Sequence, residues 1–372
     1  MQDSTAMQLS TASAQTSDME NSLSGHDPWT GSPLSQHDYT CHWYYIIINS
    51  ITVALVCCIG IPANVLTGLV LSKRKKKSPT MVLICTLAAL DILSLIGQGV
   101  ASILKIVATT TDDVILKANV RIFYHYLGAY GATLMTATIN LTALIMWCRY
   151  KAITSKHVIR EQRKTWKLMS PLAIGIAVIY QLPRFFELKY IATTSQGIFI
   201  FQRNSFSVSP LYENVYKSFL NFTLFLYVPI TLMTVMAFKA TRALRSKCQK
   251  GPMTLAEINQ RQITVSLIGV VGLSVVCYCL APVRNILLYF YRDPSDVVCG
   301  GVVFYVTPVL VLLIVVNCSL NFFIYTWCTE RFRRQVARLL CQSKRAAVSP
   351  HATDIFSTNS TAHVGPVLPS VA

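Results

Sequence analysis

Asn317, Asn321 and Tyr325 recur every fourth residue in an apolar run near the C-terminal end, a spacing that predicts one stripe on one helix face. Two further apolar runs hold Asp91, which closes Leu87-Ala88-Ala89-Leu90, and Asn64, which follows Gly60-Ile61-Pro62-Ala63; another ends Trp147-Cys148-Arg149-Tyr150. A carboxylate, amides and a phenol supply hydrogen bonds and hard oxygen ligands. They do not supply acid–base catalysis, because Asp91 has no partner carboxylate in a neighbouring run. Cysteine and histidine fall nowhere at metal-ligand spacing. An unpaired amide or carboxylate in hydrocarbon costs at least a few kcal/mol, so these groups are expected to face a protein interior. Arg149 taken alone reads as a boundary charge that snorkels to the cytosolic surface.

The elements that position these groups follow from hydropathy. At 53% hydrophobic, 13% charged and mean hydropathy +0.47 across 372 residues, the chain is too apolar for an ordinary soluble protein. Seven runs are long enough to span a bilayer, at 44–72, 80–106, 122–147, 167–183, 215–238, 263–290 and 301–327, which predicts an all-α membrane protein. The net charge of +17 could suggest a nucleic-acid footprint, but its placement argues for topology. No Lys or Arg precedes Lys73, and the basic clusters at 73–77, 149–167, 239–261 and 331–338 fall in every second connection. The positive-inside rule then puts the N-terminus outside and the C-terminus in the cytosol, with the basic collar facing anionic lipid.

The chain divides into an extracellular segment 1–43 expected to be disordered, a seven-span domain 44–328, an amphipathic cytosolic helix 329–341 and a cytosolic tail 342–372 also expected to be disordered. No short apolar leader precedes Asp38, so the first span is expected to initiate insertion. No internal repeat appears, which counts against an inverted-repeat transporter. In 329–341, Phe332, Val336 and Leu339 or Leu340 share a face opposite Arg331, Arg334 and Arg338, as in an interfacial helix. Cys341 at its end is a candidate for palmitoylation. Of twelve cysteines, Cys41 and Cys299 alone fall on the oxidising face, making them candidates for a disulfide between the N-terminal segment and the last outer loop. The sequons at Asn140, Asn221 and Asn317 lie in spans, and that at Asn359 in the cytosolic tail.

Asn64, the Leu-Ala-x-x-Asp run ending at Asp91, Arg149-Tyr150, Trp166, Pro229, Cys279 with Pro282, and Asn321 with Tyr325 occur in the order seen in rhodopsin-like G-protein-coupled receptors, and the resemblance covers roughly 44–341. A finer resemblance, to invertebrate FMRFamide-type neuropeptide receptors, rests on Gly60 to Leu71, on Leu182-Pro183-Arg184-Phe185-Phe186-Glu187 and on the run ending Asn321-Phe322-x-x-Tyr325, with Tyr212, Tyr216 and Pro229 fitting the same pattern. The resemblance implies a seven-helix bundle with a short amphipathic eighth helix in the plasma membrane. It implies an extracellular peptide ligand, a heterotrimeric G protein, and arrestin and receptor kinases as further cytosolic partners.

By this resemblance Asn64, Asp91, Thr138, Asn317 and Asn321 converge on a site that holds sodium or water, while Cys148, Arg149, Tyr150, Pro282, Asn321 and Tyr325 form the coupling switch. Tyr126, Tyr130, Gln181, Arg184, Glu187, Arg284 and Phe290 line the outer cavity and suit a peptide with cationic and aromatic side chains. Gly131 stands where amine receptors carry an aspartate, and Val315 where opsins carry the retinal lysine. Arg284, two residues past Pro282, is expected to pair with an internal carboxylate, the alternative being an acidic group on the ligand.

Four features depart from the pattern. No cysteine begins the third span or occurs in 190–211, so the usual disulfide there cannot form; Cys148 replaces the acidic neighbour of Arg149; Leu280 replaces a tryptophan; and Phe322 replaces a proline. The alternatives are a receptor-like scaffold or heterodimer partner without conventional coupling, and, further off, a transporter or channel.

Overall fold

The computed structural model describes residues 36–73, 78–111, 113–154, 162–193, 199–249, 254–290 and 301–348. Seven helices are long and apolar enough to cross a membrane: Trp43–Ser72, Pro79–Thr110, Ile115–Thr154, Leu168–Phe186, Leu211–Lys247, Glu257–Arg284 and Val302–Cys328. A helix satisfies its backbone polar groups within the segment, which is why hydrocarbon selects it. Hydropathy located all seven but set the third and fifth short at both ends, where the helices continue beyond the expected 122–147 and 215–238. Ser78 caps the second span by accepting from the Met81 N–H at 3.4 Å. Thr254 and Glu257 form a reciprocal capping box ahead of the sixth, satisfying donors that a helix start leaves open.

Two expected boundaries are corrected. The segment assigned to 1–43 is helical from Gln36, running Gln36–Ile46 into a π-helical turn Ile47–Thr52 before the first span continues. The helix expected over 329–341 runs Glu330–Val348, past the expected end at 341. Residues 1–35 and 349–372, the remainder of the two terminal segments, lie outside the described residues.

The third span is the hub. Its Leu141, Ile145 and Met146 are fully buried and share one core with Leu83 and Leu87 of the second span, Met233 of the fifth, Leu267 and Val270 of the sixth and Tyr325 of the seventh. Phe332 and Val336 of the cytosolic helix close that core from below, and Leu339 packs against it while Leu340 is exposed. A second cluster, Val53, Cys57, Leu95, Val315 and Cys318, joins the first, second and seventh spans. Gly60 makes that junction close, since a β-carbon there would sit 2.2 Å from Ser319 Oγ and 2.8 Å from Leu95 Cδ1.

Two prolines break helical regularity where the bundle bends. The chain before Pro229 is π-helical over Leu211–Leu220 and Thr223–Tyr227. The sixth helix stops at Tyr278 and resumes as Leu280–Phe290, with the interruption at Cys279 just ahead of Pro282. Proline removes one backbone donor and clashes with the carbonyl four residues earlier, which explains the local kink. Between the fourth and fifth spans, β1 (Leu188–Thr193) and β2 (Phe199–Arg203) form an antiparallel hairpin with Leu188 opposite Arg203 and an irregularity between Tyr190 and Ala192. The sequence reading contained no strand, because five or six residues with mostly exposed side chains carry little alternation.

Candidate functional site

Asp91 is completely buried in the second span, and its Oδ2 accepts from Asn321 Nδ2 at 2.7 Å. The buried Cys318 thiol lies one turn earlier on the seventh span. Asn64 donates through Nδ2 to the carbonyls of Cys318 at 2.9 Å and Gly60 at 3.0 Å, tying the first span to the same turn. Asn317 belongs to a different partnership: its Oδ1 accepts from Ser274 Oγ at 3.0 Å, and its Nδ2 reaches the Tyr278 hydroxyl at 3.4 Å. The predicted stripe therefore divides, with Asn321 bound to the second span and Asn317 to the sixth. Asn64 Oδ1, Asp91 Oδ1, Thr138 Oγ1, Asn321 Oδ1 and the Tyr325 hydroxyl are buried without a hydrogen-bond partner. Buried polar atoms in this number lack partners from the protein itself, and water or a hard cation could supply them.

At the end of the third span Arg149 is almost completely buried, and its Nη1 donates to Gln260 Oε1 of the sixth helix at 2.7 Å. Its Nε has no partner. Cys148 is buried in the main core and packs as an apolar residue, while Tyr150 is half-buried beside it. The snorkelling expected of Arg149 in isolation is overturned, because the guanidinium is drawn inward by an amide rather than released to water. Lys247 Nζ, at the end of the fifth helix, caps the third by donating to the Ile153 carbonyl at 2.6 Å. Tyr325 is buried near the Phe332 ring at 6.1 Å between centroids.

The family profile of the 7 transmembrane receptor (rhodopsin family) matches residues 63–325, a stretch that holds Asn64, Asp91, Arg149, Gln260, Asn317, Asn321 and Tyr325. The chain belongs to that family. No curated protein is similar enough to count as a match. A rhodopsin-family chain is a multi-pass membrane receptor with an extracellular ligand and a G-protein partner as its general mode of action, and it is not an enzyme.

On the receptor's opposite end, Glu187 is the organising group. It is buried and accepts from the Tyr212 hydroxyl at 2.9 Å and from Lys217 Nζ at 3.1 Å, with Arg184 at 4.0 Å and His125 at 3.7 Å. Burial pushes the Glu187 carboxyl up, but Lys217, the Tyr212 hydrogen bond and Arg184 outweigh it and hold the group below the ordinary carboxylate range. Asn204 donates its N–H to the Glu187 carbonyl at 2.8 Å, and Ser207 Oγ donates to the same oxygen at 3.2 Å, so the hairpin is pinned to this point. Arg203 continues the ionic surface by meeting Glu213 at 2.6 Å.

The other residues expected in the outer cavity scatter. Gln181 is buried as a cross-brace, donating to Thr136 Oγ1 at 2.9 Å and Asn221 Oδ1 at 3.1 Å. Tyr130 turns to the second span, where its hydroxyl reaches the Leu93 carbonyl at 3.0 Å and its ring lies over Gly97. Tyr126 meets His125 edge-on. The expected carboxylate partner of Arg284 is replaced by a hydroxyl: Nε donates to Thr307 Oγ1 at 3.0 Å, and no carboxylate pairs with it among the described residues. The Phe290 side chain lies outside the described residues, as does Cys299. Cys41 is disulfide-bonded, and its sulfur sits 3.3 Å from the Tyr305 hydroxyl at the outer end of the seventh span.

Sequence reasoning missed Gln260, Cys318, Ser274, Tyr278 and Lys217. Only Lys217 carried a signal, a cation facing an acidic Glu187 across the outer surface; the others are ordinary residue types whose role appears only when the helices meet.

Proposed function

We propose that this receptor sits in the plasma membrane with its N-terminus outside, binds a short peptide there and activates a heterotrimeric G protein inside, with arrestin and receptor kinases acting on the same cytosolic face. The observation that carries this reading is Arg149 held by a neutral partner on the sixth helix, below a helix interruption at Cys279 and Pro282. Swinging the sixth helix outward breaks one charge-assisted hydrogen bond, worth about 1.5–3 kcal/mol, and frees Arg149 for the G protein while Tyr325 turns to support the open state. A ligand drives that step by binding the open state more tightly than the closed one.

The mid-bundle residues suit a sodium ion. Asp91 supplies charge, and Asn64, Thr138 and Asn321 supply oxygens without other partners, the donor set that a hard cation prefers. When bound, such an ion contributes a counter-charge that stabilises the closed packing, and Asn317 holds the sixth helix beside it. Outside, Cys41 pairs with Cys299 to tie the N-terminal helix to the last loop. On the cytosolic face, Phe332 and Val336 seat the eighth helix on the bundle, which carries exposed Cys341 toward the bilayer for palmitoylation.

The ligand reading changes with the structure. Glu187 is already surrounded by cations and a phenol, whereas among the described residues Arg284 has a hydroxyl partner and no carboxylate, and Arg184 acts on it as a like charge. The peptide that fits therefore carries an acidic group along with its aromatic side chains. Expression with promiscuous G-protein reporters and a library of acidic and amidated peptides tests this. Activation by at least one acidic peptide, abolished in Arg149→Ala at unchanged surface expression, is the expected result. Silence across the library with surface expression confirmed sinks the coupling reading and leaves the scaffold or heterodimer partner.

A further inference from the structure

Asn140 of the third span has no part in the switch or in the outer cavity. It opens into a cleft of about 440 Å³ between the third, fourth and fifth spans, whose walls include Trp147, Leu172, Ile176, Pro229 and Leu232. Leu172, Ile176 and Leu232 are about half exposed, so in a membrane the cleft opens sideways into lipid. The fourth and fifth spans bury the least of their surfaces among the seven, which leaves room for the cleft. Acyl chains can fill such a space, but they leave Asn140 unanswered: among the described residues its side chain has no hydrogen-bond partner, and an amide in hydrocarbon costs a few kcal/mol until it finds one.

The chemistry of the occupant follows from three observations. No charged residue lines the cleft, which excludes fatty-acid carboxylates and phosphate headgroups as the group on Asn140. Asn140 lies nine residues before Arg149, about 13 Å along the helix at 1.5 Å per residue, so it sits near the middle of a hydrocarbon layer roughly 30 Å thick. The cleft runs from Asn140 to Trp147, about 10 Å by the same rise, toward the cytosolic interface. An elongated molecule lying in it with one end at that interface places its other end against the amide. We propose that this cleft binds an oxygenated steroid, an uncharged rigid lipid with polar groups at both ends, one at the interface and the other on Asn140. A hydroxyl at the buried end and the Asn140 amide satisfy each other, where each alone in the bilayer core is costly.

The site is separate from peptide binding and from G-protein coupling, so it is tested by binding alone. The probe is a tritium-labelled side-chain-hydroxylated sterol, titrated against the full chain in nanodiscs, with cholesterol and oleic acid as competitors. Saturable binding displaced at least tenfold more readily by unlabelled hydroxylated sterol than by cholesterol is expected. Asn140→Leu erases that preference while leaving the protein as stable as before, because it removes an unpaired amide from lipid. Leu172→Trp fills the cleft and abolishes binding. Non-saturable binding, a preference that survives Asn140→Leu, or displacement by oleic acid as effective as by the hydroxylated sterol overturns the proposal.

Discussion

The two ends of the third and fourth spans are held by different physics. At one end, Glu187 draws Tyr212, Lys217, Arg184 and His125 onto one carboxylate, joining the third, fourth and fifth spans and the hairpin. At the other, the buried Arg149 meets the sixth helix through the single amide oxygen of Gln260. A multiply partnered charge in a partly dry site is hard to open, because each partner left behind becomes an uncompensated donor or cation. One hydrogen bond to a neutral acceptor is easy to open by comparison. The difference shows how a chain with no cysteine at the start of the third span or in 190–211, and no acidic neighbour of Arg149, still holds one end of the bundle more firmly than the other.

The strongest way to break the comparison is to remove its outer anchor. Glu187→Ala strands a phenol and several cations and is expected to cost about 3 kcal/mol, read as a drop in melting temperature and surface yield; a loss as small as that of Gln260→Ala would erase the contrast. Gly60→Val comes next, at about 2 kcal/mol, because Ser319 Oγ and Leu95 stand within 2.8 Å of the added carbon. That variant tests the frame on which both ends depend, and thermal denaturation of the purified receptor measures it.

The inner contact gives a smaller and more specific effect. Gln260→Glu sets a carboxylate against Arg149 and is expected to lower ligand-independent signalling about tenfold, equivalent to 1.4 kcal/mol. Cys148→Asp should act in the same direction, and Gln260→Ala in the opposite one. An unchanged basal signal in all three would show that the inner contact is not the restraint. The smallest effect is that of pH. The folded Glu187 ionises more readily than an unfolded carboxyl near pH 4.3, so its contribution is fully present above that value and is lost as pH falls through the lower folded value. Stability should hold from pH 7 to about 5 and then decline below the carboxylate range, with a shallower decline in Glu187→Gln, as followed by acid titration of the melting temperature.

Hydropathy and charge placement alone located the spans and gave the expected sidedness. The four-residue spacing of Asn317, Asn321 and Tyr325 correctly placed them on one buried face. What that spacing could not say is that Asn317 would turn to Ser274 and Tyr278 while Asn321 turned to Asp91. A helix period orders side chains around one axis and carries no information about the rotation of the neighbouring axis. The outer cavity was read least well. Gln181 and Tyr130 were taken for ligand contacts because polar and aromatic residues near the outer surface serve equally as braces, and both are used here as braces.

The sequence by itself therefore determined that this is a seven-helix membrane chain with a polar interior around Asp91 and an arginine near the C-terminal end of the third span. These conclusions need only local hydropathy, helical period and the cost of charge in lipid. Tertiary structure alone decided which partners those groups take, and with them the difference between the firmly held outer end and the lightly held inner one. Partner choice depends on how helices rotate and approach, and that is settled by packing at positions such as Gly60 and Leu141 rather than by the polar residues themselves.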